Sequence, residues 1–379
     1  MSPARSDTRV LVSMKGDLRK DSMIQIKYGQ LVRSLHQHLT LAGVYDVDLR
    51  GLSQVSTALR SIAPVRQAWR ERYTKHPAAF KMRSIRASRW IVRQEVDAVL
   101  QLGAMFDSCY HQGIVPNVIY TDYTSQLSAR HREGQRSPYQ GTKLDEWLGL
   151  EQQAYNNASH VCVRSETVRQ SLVEDYGIEP EKVSVVGGGT NLGVLPDAVT
   201  RPIGGPPRLL FIGMDFYRKG GDLVLKAFAQ ARKSLPLSRL TMVTRMPRNH
   251  GLPMTNVEVI ESGFDREIIR SQFPLADAFV LPSRLETWGD VILEAMGYGI
   301  ACIGVTGQPM EEIIENGKTG LLVEPENPEA LSRAMVQLLS DRTYCRMMGV
   351  TGRAHLERNF TWPIVAQRLS KVIETVVAG

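Results

Sequence analysis

The sequence predicts an α/β protein built from two doubly wound parallel sheets, on three observations. Short apolar runs of strand length, among them Arg9–Met14 (RVLVSM), Asn117–Thr121 (NVIYT), Leu209–Gly213 (LLFIG) and Ala278–Leu281 (AFVL), alternate with segments whose apolar residues recur at helical spacing. The length of 379 residues favours two domains. Between the two sets of runs lies LGVLPDAVTRPIGGPP, rich in Pro and Gly and without periodicity, which has the composition of a linker. The expected division is 1–200 for a first domain and 207–360 for a second, with the boundary near Val199 to Pro207 and a final helix over 361–379.

Taken in order, RVLVSM is a first strand, KGDLRKD a loop, and Ser22 to Leu41 a helix with Ile24, Tyr28, Leu31, Leu35 and Leu39 on one face. Val44, Val47 and Leu49 suit an early strand end. From Arg60 to Arg93 ten Lys and Arg residues stand against a single acid, Glu71, with Trp69, Tyr73, Phe80, Ile85, Trp90 and Ile91 interleaved. A solvated helix face, an interfacial membrane helix that Trp69 and Trp90 would enter, and a patch for a phosphorylated acceptor all fit that pattern. NVIYT ends at Asp122, Tyr123 and Thr124. The carboxyl end of a parallel strand faces the ligand crevice, so Asp122 is a candidate site residue as well as a turn former, and His131 is a weaker one. Val161 to Arg164, Glu166 to Tyr176 and Lys182 to Val186 complete a strand, helix, strand unit.

In the second half, LLFIG runs into MDFYRKGGD and then a helix from Leu223 to about Arg232. A glycine-containing loop before a helix lets backbone N–H groups approach an anion, and Arg218 and Lys219 would neutralise a diphosphate there. Strands follow near Leu240 to Thr244, Val257 to Ile260, Ala278 to Leu281 and Ala301 to Val305, with helices near Glu267, Asp290 to Tyr298, Pro328 to Leu339 and Trp362 to Val377. In LPSRLETWGDVILE the loop carries Glu286 and the following helix carries Glu294. An ionised carboxylate accepts two adjacent sugar hydroxyls, so this pair can hold two polyols; the plainer alternative is a helix-start charge and a solvated helix residue. Gly317-Lys318-Thr319 is no Walker motif, because Glu312 stands where Gly is required.

Composition narrows the class. With 43% apolar and 22% charged residues the chain reads as an ordinary soluble globular protein. No apolar run reaches the length of a membrane span, and the first residues lack the pattern of a signal peptide, so a cytoplasmic protein is expected. Cys109, Cys162, Cys302 and Cys345 form no C-x-x-C, which points to neither a disulfide framework nor a zinc site. The net charge of +7 implies an anionic partner, yet no nucleic-acid module is recognisable.

ETWGDVILEAMGYGIACIGVTGQPMEEIIENGKTGLLVEPEN resembles the signature of family 4 of the retaining glycosyltransferases. The match runs through Glu286, Gly289, Glu294, Ala295, Gly299, Gly307, Glu311, Gly317 and Gly320. It departs at Thr287 and Trp288, which stand for a small residue and Phe, and at Ile300 to Cys302. SHVCVRSETVRQSLVEDYGIEPEKVSVVGGGTN resembles the family's end of its first domain. The resemblance implies the GT-B fold, with two Rossmann-like domains and a last helix that crosses back to the first. It further implies a nucleotide-diphosphate sugar donor and transfer with retention, in cell-surface polysaccharide or glycoconjugate synthesis. Glu286 would hold the donor sugar, Glu294 the ribose, and Arg218 and Lys219 the diphosphate. Gly213, Thr287, Trp288 and Gly289 would line the donor. Gly16 stands where the family has a Gly-Gly pair, Asp122 near a usual His, and Met214 at a usual Arg. Asp46-Val47-Asp48 is a D-x-D, which binds metal in the other large glycosyltransferase fold; here no metal and no cofactor beyond the nucleotide sugar is expected. The remaining expected partners are an acceptor of unknown identity, lipid-linked in one reading, and an anionic inner-membrane surface. A GT-B epimerase or phosphorylase, or a catalytically silent nucleotide-sugar-binding subunit, are the alternatives.

Overall fold

The computed structural model describes residues 6–110, 115–130, 137–197, 205–261, 263 and 265–379, and forms two compact units, Met1–Gly187 with Trp362–Gly379 and Gly188–Thr361. They divide at Gly187/Gly188, ahead of the expected linker, part of which lies outside the described residues, as does His131.

The first unit contains β1 (Arg9–Met14), α1 (Ser22–Leu35), β2 (Thr40–Asp46), α2 (Leu52–Arg60), α3 (Arg66–Thr74), α4 (Pro77–Ile91) and β3 (Ala98–Leu102). It continues with β4 (Asn117–Thr121), α5 (Ser125–Arg130), α6 (Thr142–Asn157), β5 (His160–Val163), α7 (Glu166–Tyr176) and β6 (Val183–Val185). The six strands are parallel in the order β2-β1-β3-β4-β5-β6, so the order reverses between β1 and β3. β3 and β4 are buried along their whole length, as strands covered on both faces must be.

The second unit contains β7 (Arg208–Ile212), α8 (Gly221–Ala231), β8 (Arg239–Val243), β9 (Val257–Ile260), α9 (Arg266–Gln272), β10 (Ala278–Val280) and α10 (Asp290–Gly297). β11 (Ala301–Val305), β12 (Gly320–Val323), α11 (Pro328–Ser340) and α12 (Arg342–Asn359) follow. Its parallel sheet has the order β12-β11-β10-β7-β8-β9, and the reversal lies between β7 and β10. The last helix, α13 (Trp362–Ala378), belongs to the first unit. Its Trp362, Val365, Ala366, Leu369 and Ile373, spaced three or four apart, are buried in the cluster that holds Leu31 and Leu35 of α1. The Arg164 guanidinium lies 5.5 Å from the Trp362 ring and 5.8 Å from that of Tyr120.

Two expectations are corrected. The helix read from Ser22 to Leu41 stops at Leu35; a turn closes it, with His38 and Leu39 N–H donating to the Leu35 carbonyl, and Thr40 opens an edge strand. The basic stretch is no single helix but runs from the end of α2 through α3 and α4, and Pro77 starts α4 with His76 as its cap. Within it Arg83 is fully buried, bonded to Asp48 at 2.9 Å and to the Thr74 carbonyl at 2.8 Å. Trp69 is also committed, since its indole N–H donates to the Ala58 carbonyl at 3.0 Å and its ring stacks on Tyr73. Trp90 lies against Tyr45 with ring centroids 4.7 Å apart.

The D-x-D carboxylates are spoken for in the same way. Asp46 accepts the N–H groups of Gly16 and Asp48, each at 2.9 Å. Burial pushes the Asp48 carboxyl up, but Lys15 and Arg83 outweigh it and hold the pKa below the usual range.

Candidate active site

In an open parallel sheet, ligands bind beyond the carboxyl ends of the strands where the strand order reverses. In the second unit that place is flanked by the loop after β7, residues 213–220, and the loop after β10, residues 281–289. These are the two loops that carry Arg218, Lys219 and Glu286.

The loops lock together through close backbone approach. Gly220 has φ +75°, and a Cβ there would lie 2.2 Å from the Pro282 carbonyl oxygen, so only glycine fits on both counts. Arg284 N–H donates to the Arg218 carbonyl at 2.9 Å, and the Arg284 side chain reaches Asp222 at 2.7 Å and Glu326 at 2.7 Å. The Asp222 hydrogen bonds, ahead of the burial that opposes them, raise the Arg284 pKa further. Gly220→Ala is therefore expected to destabilise the second unit by about 1–3 kcal/mol, read as a lower thermal midpoint; an unchanged melt would contradict this close contact.

Lys219 folds back over the end of β7, which Gly213 permits, since a Cβ at that position would meet the Lys219 side chain at 2.6 Å. There its ammonium forms an ion pair with Oε2 of Glu286. Glu286 is held on several sides. Its N–H donates to the Gln308 side chain at 2.9 Å, Ser283 hydroxyl lies 3.3 Å from Oε2, and Thr287 N–H reaches Oε1 at 3.2 Å. Arg218 spends Nε on Asp215 at 2.9 Å and Nη1 on the Leu285 carbonyl at 3.0 Å. The guanidinium is thus oriented with Nη2 unused among the described residues.

Two helices start here, α8 after Gly220 and α10 after Gly289 (φ +115°), and neither start has a side-chain cap. Uncapped first-turn N–H groups and the positive end of the helix dipole both favour an anion. One turn into α10, Glu294 is 1% exposed and ion-paired with Arg266 of α9. Its other oxygen, Oε2, is buried with no hydrogen-bond partner. Burial pushes the Glu294 pKa up, and Arg266 only partly offsets it. An orphaned acceptor of this kind is a place for a donor that the free protein lacks.

Trp288 was expected to line the donor. The structure puts its side chain in the core instead, at 1% exposure and edge-on to Phe360 with centroids 5.9 Å apart. Gly16 and Asp122 belong to the first unit, at the carboxyl ends of β1 and β4. Gly16 has φ +106° and makes the turn that meets Asp46. Asp122 lies 2.8 Å from Lys27; burial lowers the Lys27 pKa, and Asp122 together with Tyr28 more than reverses that. Sequence reasoning missed Arg266, Arg284, Asp222 and Gln308, whose partners lie 22 to 66 residues away. Among the described residues no group of three or more His, Cys, Asp or Glu is placed to hold a metal ion, and no helix is long and apolar enough to cross a membrane.

Residues 197–355 match the family described as Glycosyl transferases group 1. The chain is similar to a glycogen synthase of Mycobacterium tuberculosis, 26% identical over 217 residues that cover 55% of this chain and 52% of the relative. It is 28% identical over 170 residues to a GDP-mannose-dependent monoacylated alpha-(1-6)-phosphatidylinositol monomannoside mannosyltransferase of Corynebacterium glutamicum, covering 42% of this chain and 44% of that one. The chain thus spans about half the length of the curated relatives it matches. In fold it is similar to the Anabaena protein Alr3699/HepE, solved in complex with UDP-glucose, with a TM-score of 0.64 at 14% identity over 97% of this chain and 99% of that one. Over residues 197–355 the chain is thus similar to the glycosyl transferases group 1, and it has the α/β fold of the GT-B glycosyltransferases.

Proposed function

We propose that the protein transfers a sugar, with retention, from a nucleotide-diphosphate sugar to an acceptor in cell-surface polysaccharide or glycoconjugate synthesis. The observation that carries this reading is the Lys219–Glu286 ion pair at the strand-order reversal of the second unit, between two helix starts without side-chain caps. When the donor enters, its diphosphate takes Lys219, the free edge of Arg218 and the first-turn N–H groups. Glu286, released from Lys219, accepts hydroxyls of the donor sugar, and Oε2 of Glu294 accepts a ribose hydroxyl. Cleavage of the bond between the anomeric carbon and the diphosphate puts the bonding pair on the leaving oxygen, so these cations stabilise the transition state more than the bound donor. Retention requires the acceptor to enter on the face that the diphosphate leaves, and the departing oxygen is then the group nearest to take the acceptor proton. Lys219 and Arg218 supply the positive charge at that oxygen, and the reading assigns no metal. Product analysis with a labelled nucleotide sugar tests it: a glycosylated acceptor of unchanged anomeric configuration is expected, whereas inversion, or an epimerised nucleotide sugar, would overturn it.

The same reading sets the first unit against a membrane surface. Leu52, Val55 and Leu59, three and four residues apart on α2, and Ile62 and Val65 in the turn after it, are each more than half exposed. Arg60, Arg66 and Arg70 stand among and beyond them. An apolar stripe rimmed by arginines fits an anionic lipid surface, with about 1 kcal/mol for each cation near it. That surface would present a lipid-linked acceptor from the cytoplasmic side. α2 therefore takes the role that the sequence had given to Trp69 and Trp90. Co-sedimentation with anionic vesicles at low salt is expected, falling several-fold in Leu52→Ser/Leu59→Ser; wild-type protein left in the supernatant would contradict it.

A further inference from the structure

A second candidate place lies in the first unit, beside its edge strand β2. A cavity of about 610 Å³ opens between the end of β2, the start of α2 and the outer face of α4. It is lined by Tyr45, Arg50, Arg86, Arg89, Trp90 and Arg93 among others, and its volume is that of a small-molecule pocket. No carboxylate lines it.

The arginines differ in their commitments. Arg86 is fixed, with Nε 3.1 Å from the Tyr45 hydroxyl and Nη1 donating to the Asp48 carbonyl at 2.6 Å. Arg50 is 3.3 Å from Asp46. Arg89 and Arg93 are exposed, and their guanidinium groups have no hydrogen bond or ion pair among the described residues. Arg86 and Arg89 stand three residues apart near the end of α4 and Arg93 lies in the turn just after it, so three like charges gather at one place and repel. The floor is rigid, because the Trp90 and Tyr45 rings pack together and the Arg86 guanidinium lies 5.7 Å from the Tyr45 ring.

We infer that this cavity is a phosphate-recognition site, which takes a phosphomonoester carried on a small body that rests on Trp90 and Tyr45. Guanidinium groups pair bidentately with phosphate oxygens, and a dianion relieves the mutual repulsion of Arg86, Arg89 and Arg93. A soluble sugar phosphate and a membrane lipid with a phosphomonoester headgroup share this chemistry. The inference stands apart from the sugar-transfer reading, since none of these residues belongs to the donor loops.

The test titrates the full chain with glucose 1-phosphate, with glucose as the uncharged control, and sediments it with vesicles containing either phosphatidic acid or phosphatidylserine at matched surface charge. Arg89→Gln/Arg93→Gln alters two exposed side chains without protein partners, so its melt should match the wild type. Binding of glucose 1-phosphate that weakens about tenfold or more in this variant and persists in Arg218→Ala/Lys219→Ala supports the site with a soluble ligand. A preference for phosphatidic acid over phosphatidylserine that the same variant abolishes supports it with a lipid ligand. Absence of both, or glucose 1-phosphate binding that survives Arg89→Gln/Arg93→Gln and is lost in Arg218→Ala/Lys219→Ala, overturns it.

Discussion

Glu286→Gln is expected to lower turnover by about 10- to 1,000-fold, a loss of about 1.4–4 kcal/mol of transition-state stabilisation, while the protein stays folded. The amide keeps the shape of the side chain and the bond from Ser283, so the loop should persist. It removes the charge that pairs with Lys219 in the free protein and that would accept sugar hydroxyls in the complex. The loss should fall on kcat at least as much as on KM, because the interaction is strongest when the anomeric carbon carries positive charge. Steady-state kinetics indistinguishable from wild type would remove Glu286 from the site.

Arg218→Ala with Lys219→Ala should weaken both the donor and the free nucleoside diphosphate by about two orders of magnitude, while a nucleoside without phosphates binds as before. The two side chains are not equivalent. Arg218 also anchors Asp215 and the Leu285 carbonyl, so its loss relaxes the loop, whereas the Lys219 ammonium pairs across to the far loop at Glu286. Comparison of the single variants separates loop anchoring from phosphate binding: Lys219→Ala should spare the thermal midpoint better than Arg218→Ala. Equal losses for nucleoside and diphosphate in calorimetric titration would indicate a folding defect instead.

Much of this site is legible in the sequence because its pieces are local. A strand, a loop with Glu286 and a helix with Glu294 lie within one short stretch, and apolar periodicity shows each in turn. Partners distant in the chain are not legible this way. Nothing near Glu286 reveals that Lys219, 67 residues earlier, closes on it, and nothing near Glu294 marks Arg266 as its counter-ion. Trp288 shows the opposite failure. A loop aromatic two residues after Glu286 reads as a ligand contact, but Phe360 from the far end of the unit covers it.

The first unit shows a further limit. Helical spacing of Leu52, Val55, Leu59 and Ile62 is visible in the sequence, yet periodicity cannot say whether another element covers that face. The basic stretch was equally visible as a mass of charge. Only packing separates Arg83, buried on Asp48, from Arg89 and Arg93, which face an open cavity. β3 and β12 are not legible for a related reason: AVLQL, buried throughout, and GLLV, half-buried at its end, are short runs without alternation, which look alike in a strand and in a helix core.

The central claim is that the second unit binds a nucleotide-diphosphate sugar at its strand-order reversal, and thermal unfolding in the presence of such donors tests it most directly. A donor at 100 times its Kd stabilises by about 2.7 kcal/mol, which raises the midpoint by several degrees for a unit of this size. The account predicts such a rise with at least one of UDP-glucose, UDP-galactose, UDP-N-acetylglucosamine, GDP-mannose and ADP-glucose, and its loss in Lys219→Ala. A midpoint that none of these moves at millimolar concentration, or a rise that Lys219→Ala retains in full, would contradict it.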